Sequence, residues 1–178
     1  ALSDYPAANR AYGEAIKITE QLAKRHPEDA VHGLDLALVL GNRAMLEMRM
    51  GKLGAADETL ASAVRLAAEP CPDSLATPQT RTVGLLDYDR SKIAYFLGRF
   101  DDSLRFADDS LRYLDRLKDA PADKRQAFDA LFAVTAVSAI AKARRELGRA
   151  AEAFPMHDEA VRRMSLLAGK TPDRHQTY

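Results

Sequence analysis

Gly98-Arg99-Phe100-Asp101-Asp102-Ser103-Leu104-Arg105-Phe106-Ala107-Asp108-Asp109-Ser110-Leu111 is the stretch whose reading decides the fold. A glycine with a basic residue behind it closes one apolar-periodic run and opens the next. Two positions later comes Phe100, small residues stand five and twelve later, and Leu111 stands thirteen later. The same ruler fits at Gly51-Lys52, with Leu53, Ala56, Ala63 and Val64, and at Gly148-Arg149, with Ala150, Ala153, Ala160 and Val161. With Ser3 in the glycine slot it also fits the amino terminus, through Tyr5, Ala8, Tyr12, Ala15 and Ile16. The four copies lie 48, 47 and 50 residues apart. A repeat of this period sets the fold class. Helices packed antiparallel need small side chains where their axes approach, and large apolar ones beside them to fill the remaining volume.

Helix-start signals fall where the ruler needs them. Asp4-Tyr5-Pro6 places a proline in a first turn, where its missing N–H costs little. Pro27-Glu28-Asp29 opens the next run with acidic residues at the positive end of the helix dipole. Thr77-Pro78 reads as a cap followed by proline at the first helical position, Pro121-Ala122-Asp123 opens another helix, and Gly169 ends the last. The expected helices are 4–25, 28–50, 53–68, 78–97, 100–118, 122–147 and 150–168. Pro155 conflicts with the seventh, because an interior proline clashes with the carbonyl four residues back. That helix is expected to be kinked, or to begin later than the ruler implies.

The spacing resembles the tetratricopeptide repeat family, in which a glycine marks the turn between two helices. An aromatic follows two residues later, an alanine five later, a large residue nine later and an alanine twelve later. The nine-later position here carries Tyr12, Leu60, Ala107 and His157, and the units are longer than the family's usual length of about 34 residues. The resemblance covers nearly the whole chain. It implies an all-α fold, a right-handed superhelical array of antiparallel helix pairs with about seven helices. The expected organisation is a single array over 1–178, with 1–26 the second helix of a truncated repeat. Repeats then occupy 27–70, 71–119 and 120–170, and 171–178 begins a further helix or forms a tail. Lys170-Thr171-Pro172-Asp173 repeats the signature of Thr77-Pro78, so both ends read as cut and the chain as a piece of a longer array.

Composition bounds the function. Twenty-six basic residues balance 26 acidic ones, so no global field attracts a phosphate backbone or an anionic membrane, and neither nucleic acid nor membrane is an expected partner. No apolar run approaches the ~18 residues that span a bilayer. The first residues do not read as a signal peptide, so the cytoplasm is the expected default compartment. The one cysteine, Cys71, stands in the loop Glu69-Pro70-Cys71-Pro72-Asp73-Ser74 and cannot pair within the chain.

Chemical motifs are sparse. The histidines are His26, His32, His157 and His175, and no two have the close spacing that puts two imidazoles on one metal, so neither a metal nor a cofactor is expected. His26 and His32 flank a turn beside Glu28, Asp29 and Asp35 and read as solvated turn residues; His157 reads as a packing residue. Gly51-Lys52-Leu53-Gly54 follows a helix and has too few glycines for a phosphate loop. Asp101-Asp102 and Asp108-Asp109 are adjacent in sequence, so each pair points around its helix. Ser138 and Lys142 lie one turn apart, the spacing of a serine–lysine pair, but neither a cleft nor an oxyanion feature is expected to accompany them. No catalytic residue is expected.

The resemblance also implies a concave face lined by the first helix of each pair, along which a partner segment lies. Carried over by phase, the face holds Leu38, Gly41, Asn42, Met45, Met48 and Arg49 on the second helix. The fourth contributes Leu85, Tyr88, Asp89, Lys92, Tyr95 and Phe96, and the sixth Thr135, Ser138, Ala139, Lys142, Arg145 and Glu146. Met and Tyr at helical spacing are ordinary core residues taken singly. Grouped on one face beside basic residues, they are expected to form a binding surface. The expected contacts are Asn42, Met45, Met48, Arg49, Tyr88, Lys92, Tyr95, Lys142 and Arg145, with the aromatics and methionines offering apolar contact and the cations facing an acidic peptide. Gly41 and Met45 stand where the family's carboxylate clamp has polar donors, so that clamp is not expected. The expected function is a non-enzymatic scaffold binding a protein or peptide. The alternatives are a homo-oligomer stacked through exposed repeat ends, an enzyme on a helical scaffold, and a nucleic-acid binder using Arg49, Lys92 and Arg145.

Overall fold

Every described helix that ends in one of the three turn glycines ends in the same way. A computed structural model describes residues 4–121 and 127–168, and among them runs a succession of seven α-helices with no strand. These are α1 (Tyr5–Arg25), α2 (Ala30–Arg49), α3 (Leu53–Ala67), α4 (Ala76–Phe96), α5 (Phe100–Arg116), α6 (Ala127–Glu146) and α7 (Ala150–Ala168), with short 3-10 turns at Asp73–Leu75 and Leu117–Asp119. Gly51, Gly98 and Gly148 close α2, α4 and α6 with φ of 76°, 73° and 73°. At α2 the Gly51 N–H donates to the Met48 carbonyl and the Lys52 N–H to the Glu47 carbonyl, both at 2.9 Å. The same two bonds recur at Gly98-Arg99 and Gly148-Arg149. This double closure satisfies the last carbonyls and needs a left-handed residue, which glycine adopts at no steric cost. Gly98→Ala is therefore expected to cost about 1–2 kcal/mol, read from the shift in a denaturant midpoint at unchanged slope. A change below a few tenths of a kcal/mol would contradict this account of the turn.

Consecutive helices pack against one another along the whole array, and α4 also touches both α2 and α6. The helices α2, α4 and α6 thus form one layer, with α3, α5 and α7 packed on it as the second members of their pairs. The ruler's small positions lie at these approaches. Ala56, Ser103 and Ala153 are buried, as are Ala63, Ser110 and Ala160 on the same helices and Ala44, Ser91 and Ala141 on the facing ones. On α5 the small residues are serines, and their hydroxyls donate to α4 backbone carbonyls, Ser103 to Ser91 at 2.9 Å and Ser110 to Gly84 at 2.7 Å. Larger residues fill the remaining space. Leu60, Leu34, Leu86 and Ile93 join α2, α3 and α4, while Leu114, Leu117 and Ala133, then Val134, Val137 and Ala160, continue the core towards α7. In α1 only Ile16 is fully buried, at the ruler's thirteenth position.

Several helix starts differ from expectation. Pro6 lies in the first turn of α1 as expected, but Asp4 precedes the helix as its cap, accepting from the Ala7 N–H at 2.9 Å. At α2 the acidic residues precede the helix: Asp29 is the cap, accepting from the Val31 N–H at 3.0 Å, and Ala30 is the first helical residue. Thr77 does not cap α4, which begins at Ala76 out of the 3-10 turn, leaving Pro78 at the third helical position. The first four N–H groups of a helix lack intrahelical acceptors, so the proline is tolerated there as well. The α7 helix starts at Ala150, where the ruler places it and not later, and Pro155 lies inside it. The expected opening of the sixth helix at Ala122-Asp123, the stop at Gly169 and the Lys170–Asp173 signature lie outside the described residues.

Candidate functional site

The layer of first helices carries a groove where α4 meets α6. Tyr88, Ser91, Lys92, Tyr95 and Phe96 line it from α4, Thr135, Ser138, Ala139 and Lys142 from α6, and Ser103 of α5 reaches it from below, enclosing a cavity of about 280 Å³. The helical period puts Tyr88, Lys92 and Tyr95 on one face of α4 and Thr135, Ser138 and Lys142 on one face of α6. The small Ala139 and the serines leave room between the helices, and the aromatics wall it. Tyr95 packs edge-on against both Phe96 and Phe100, at ring separations of 6.0 and 5.5 Å. Tyr88 meets Phe132 edge-on at 6.0 Å, and Phe132 meets Phe128 at 5.8 Å, which extends the apolar seam towards the start of α6. Phe128 and Leu131 are exposed at that end.

The cations of the face differ in how far their charge is already used. The Lys92 ammonium is 2.7 Å from the Asp89 carboxylate and 4.8 Å from the centre of the Tyr88 ring. Burial raises the Asp89 carboxyl although Lys92 pulls it down. Arg145 is joined to Glu146 at 2.9 Å, and the Tyr95 hydroxyl donates to the same carboxylate at 3.0 Å. Those two hydrogen bonds hold the Glu146 carboxyl below its ordinary range, Arg145 contributing most. The positive charge expected of Lys92 and Arg145 is therefore neutralised within the chain. Lys142 is exposed and has no ion-pair partner among the described residues, so its charge differs from the other two in not being matched by a described carboxylate. The hydroxyls are turned inward. Ser138 donates to the Val134 carbonyl at 3.2 Å and Thr135 to the Phe132 carbonyl at 2.8 Å. Ser138 and Lys142, for which no cleft was expected, thus both line this one, because the small side chains between α4 and α6 leave it open, and the Ser138 hydroxyl donates along its own helix.

The expected residues of α2 belong elsewhere. Asn42, Met45 and Arg49 line a separate cavity of about 300 Å³ with Tyr5, Ala8 and Tyr12 of α1, and Met48 packs against the core between α2, α3 and α4. The structure thus brings together Tyr88, Lys92, Tyr95 and Lys142, places Arg145 at the edge beside Tyr95, and splits the α2 residues from them. Phe128, Leu131 and Phe132 were not among the expected contacts. Phe128 and Phe132 stand one helical turn apart, a spacing visible in the sequence. The other candidate chemistry is dispersed. His26 and His32 rings lie 5.8 Å apart, each beside one carboxylate, Glu28 and Asp29. Among the described residues no three histidine, cysteine, aspartate or glutamate side chains form a group able to hold a metal. Cys71 donates to the Gln79 side-chain oxygen at 2.9 Å, in the loop between α3 and α4.

One buried carboxylate breaks the repeat. Asp87 occupies the phase of Leu40 and Val137, both of which pack apolar neighbours, yet its side chain is only 8% exposed. Burial pushes its carboxyl up to about 6; Arg90, 3.6 Å away, lowers it only in part, and Asp109 adds to the rise. The Arg90 guanidinium in turn lies over the Phe106 ring, 3.8 Å from its centre. A carboxyl raised in the folded state from 3.8 to about 6 stabilises the fold fully below pH 3.8, and that contribution is lost as pH rises through 6. At pH 7.5 the ionised group costs at most about 3 kcal/mol. Asp87→Asn is expected to melt above the unaltered protein at pH 7.5 and to converge with it by pH 4. A gap that widens on acidification would refute the assignment.

No protein-family model matches the chain, and no curated protein matches it in sequence. Among solved structures the fold is similar to BtubC (BKLC) from P. vanneervenii, with a TM-score of 0.62 and 13% sequence identity over 94% of this chain. This chain spans 62% of the length of that one. At such identity the likeness is one of fold.

Proposed function

We propose that the chain is a non-enzymatic protein-interaction module, similar to the tetratricopeptide repeat family, which holds a partner segment in the groove between α4 and α6. The observation that carries this reading is the grouping of Tyr88, Tyr95 and Phe96 around a cavity whose exposed cation, Lys142, has no counter-charge among the described residues. Aromatic walls supply large contact area at low entropic cost, and an unpaired ammonium at the mouth selects a carboxylate. A matching segment presents an apolar side chain to the cavity and an acidic residue to Lys142. The neutralised Lys92 and Arg145 act as parts of the wall.

The test is selection of a displayed random peptide library on the purified chain. Enriched peptides are then titrated against Ala139→Trp, which fills the cavity, and Lys142→Glu, which reverses the charge. Both sites line the surface, so both variants should keep the unaltered melting midpoint. Loss of about tenfold or more in affinity with each variant is expected. Peptides that bind both variants as well as the unaltered chain would rule out this groove as the site.

A further inference from the structure

The serine and threonine hydroxyls that line the groove between α4 and α6 have all committed their protons. Ser91 donates to the Tyr88 carbonyl at 2.7 Å and Ser103 to the Ser91 carbonyl at 2.9 Å. Thr135 and Ser138 donate in the same way to the carbonyls of Phe132 and Val134. A carbonyl oxygen has no proton to give, so the hydroxyl is the donor in each bond. Each hydroxyl oxygen then keeps only acceptor capacity. Ser91 and Ser103 are each 1% exposed, whereas Thr135 and Ser138 are half-buried on the α6 wall. The donors on the lining are the ammonium groups of Lys92 and Lys142 and the Tyr88 hydroxyl. Lys92 is already held on Asp89, and the Tyr95 hydroxyl on Glu146.

We propose, resting on the peptide-binding reading above, that the side chain this groove receives is a tryptophan of the partner segment. The indole lays a broad apolar body against Tyr88, Tyr95 and Phe96, and its one N–H donates to the Thr135 or Ser138 oxygen. A buried indole N–H needs such an acceptor. Leucine or phenylalanine would cover these oxygens and displace the water that bonds them, with no donor to replace it. Indole is also a donor only, so it makes no demand on the donors of the lining. Those stay available to the partner's main-chain carbonyls and, at Lys142, to its acidic residue. A tyrosine hydroxyl would bring lone pairs that compete for the same donors.

Displayed libraries that are random except for a central tryptophan, tyrosine, phenylalanine or leucine, selected in parallel on the purified chain, test this. The tryptophan library is expected to enrich most strongly. Its peptides are then titrated with phenylalanine or 1-methyltryptophan at the central position. Each replacement should cost about tenfold, because neither offers the N–H. The chain variant Thr135→Val, Ser138→Ala should bind the tryptophan and phenylalanine peptides alike. Hydroxyls that bond back to their own helix add little to its stability, so this variant should keep the unaltered melting midpoint. Selection that does not favour tryptophan, full affinity with 1-methyltryptophan, or a tryptophan preference that survives in the chain variant would each overturn the proposal. If the selected peptides still lose affinity for Ala139→Trp, the groove reading stands and the indole alone fails. Peptides indifferent to Ala139→Trp, or no enrichment from any library, would overturn both.

Discussion

Asp129→Ala is expected to destabilise the array by about 3–5 kcal/mol, the largest effect of any single side-chain truncation considered. Asp129 of α6 receives two hydrogen bonds from Arg81 of α4, from Nε at 2.7 Å and Nη2 at 2.9 Å, and both side chains are buried. A planar guanidinium meeting a carboxylate through two parallel N–H···O bonds is roughly twice as strong per bond as a neutral hydrogen bond. The desolvation cost of both charges has already been incurred, however, so the pair as a whole contributes less than its geometry suggests. Removing Asp129 takes both of these charge-assisted hydrogen bonds from the buried guanidinium, which is why the single variant is so costly. The double variant Arg81→Met, Asp129→Leu is expected to recover most of the loss. Thermal melting measures both, and the single variant should fall by roughly 10 °C. A single variant within about 1 kcal/mol of the unaltered chain would show that water reaches the pair.

Gly84→Val should cost about 3 kcal/mol, near the upper end of ordinary overpacking. A Cβ built on Gly84 would lie 3.0 Å from Leu114 Cγ and 3.1 Å from Tyr113 Cβ, so α5 crosses α4 closely at this point. The Ser110 hydroxyl donates to the Gly84 carbonyl at 2.7 Å, which fixes the approach from the α5 side. One methyl is near the limit of what Leu114 can accommodate by a small shift. Gly84→Ala also gains about 1 kcal/mol of helix propensity, so its net effect should be small. Two further methyls have nowhere to go without parting the helices and stretching the serine bond. Denaturant unfolding of the two variants separates these terms. A valine variant no worse than the alanine variant would mean that the crossing is looser than the geometry shows.

Much of the fold was legible because the repeat is written in backbone requirements. Gly51, Gly98 and Gly148 announce left-handed turns, and the small residues five and twelve positions later announce where helices touch. Helix starts were less legible. Thr77-Pro78 has the composition of a cap, yet the 3-10 turn at Asp73–Leu75 hands the chain into α4 two residues earlier. Proline is acceptable anywhere in a first turn, so it does not mark one position within it. At the groove, the helical period correctly put Tyr88, Lys92 and Tyr95 on one face of α4, and Lys142 on the facing side of α6. It could not separate Asn42, Met45 and Arg49, which face α1 across another cavity.

The sequence by itself determined the architecture: glycine turns, helix lengths and the phase of small and large residues are local or periodic properties of the chain. Only the tertiary structure decided which charges are spent and which are available. Lys92, Arg145 and Lys142 look alike in sequence, but Asp89 and Glu146 pair with the first two, and no described carboxylate pairs with the third. Only the structure, likewise, paired Arg81 with Asp129 and left Val161 exposed while covering its repeat equivalent Leu111. The physical reason is range. Backbone conformation and amphipathic phase are set within a few turns of helix, whereas the solvation and pairing of a side chain depend on which distant element is laid against it.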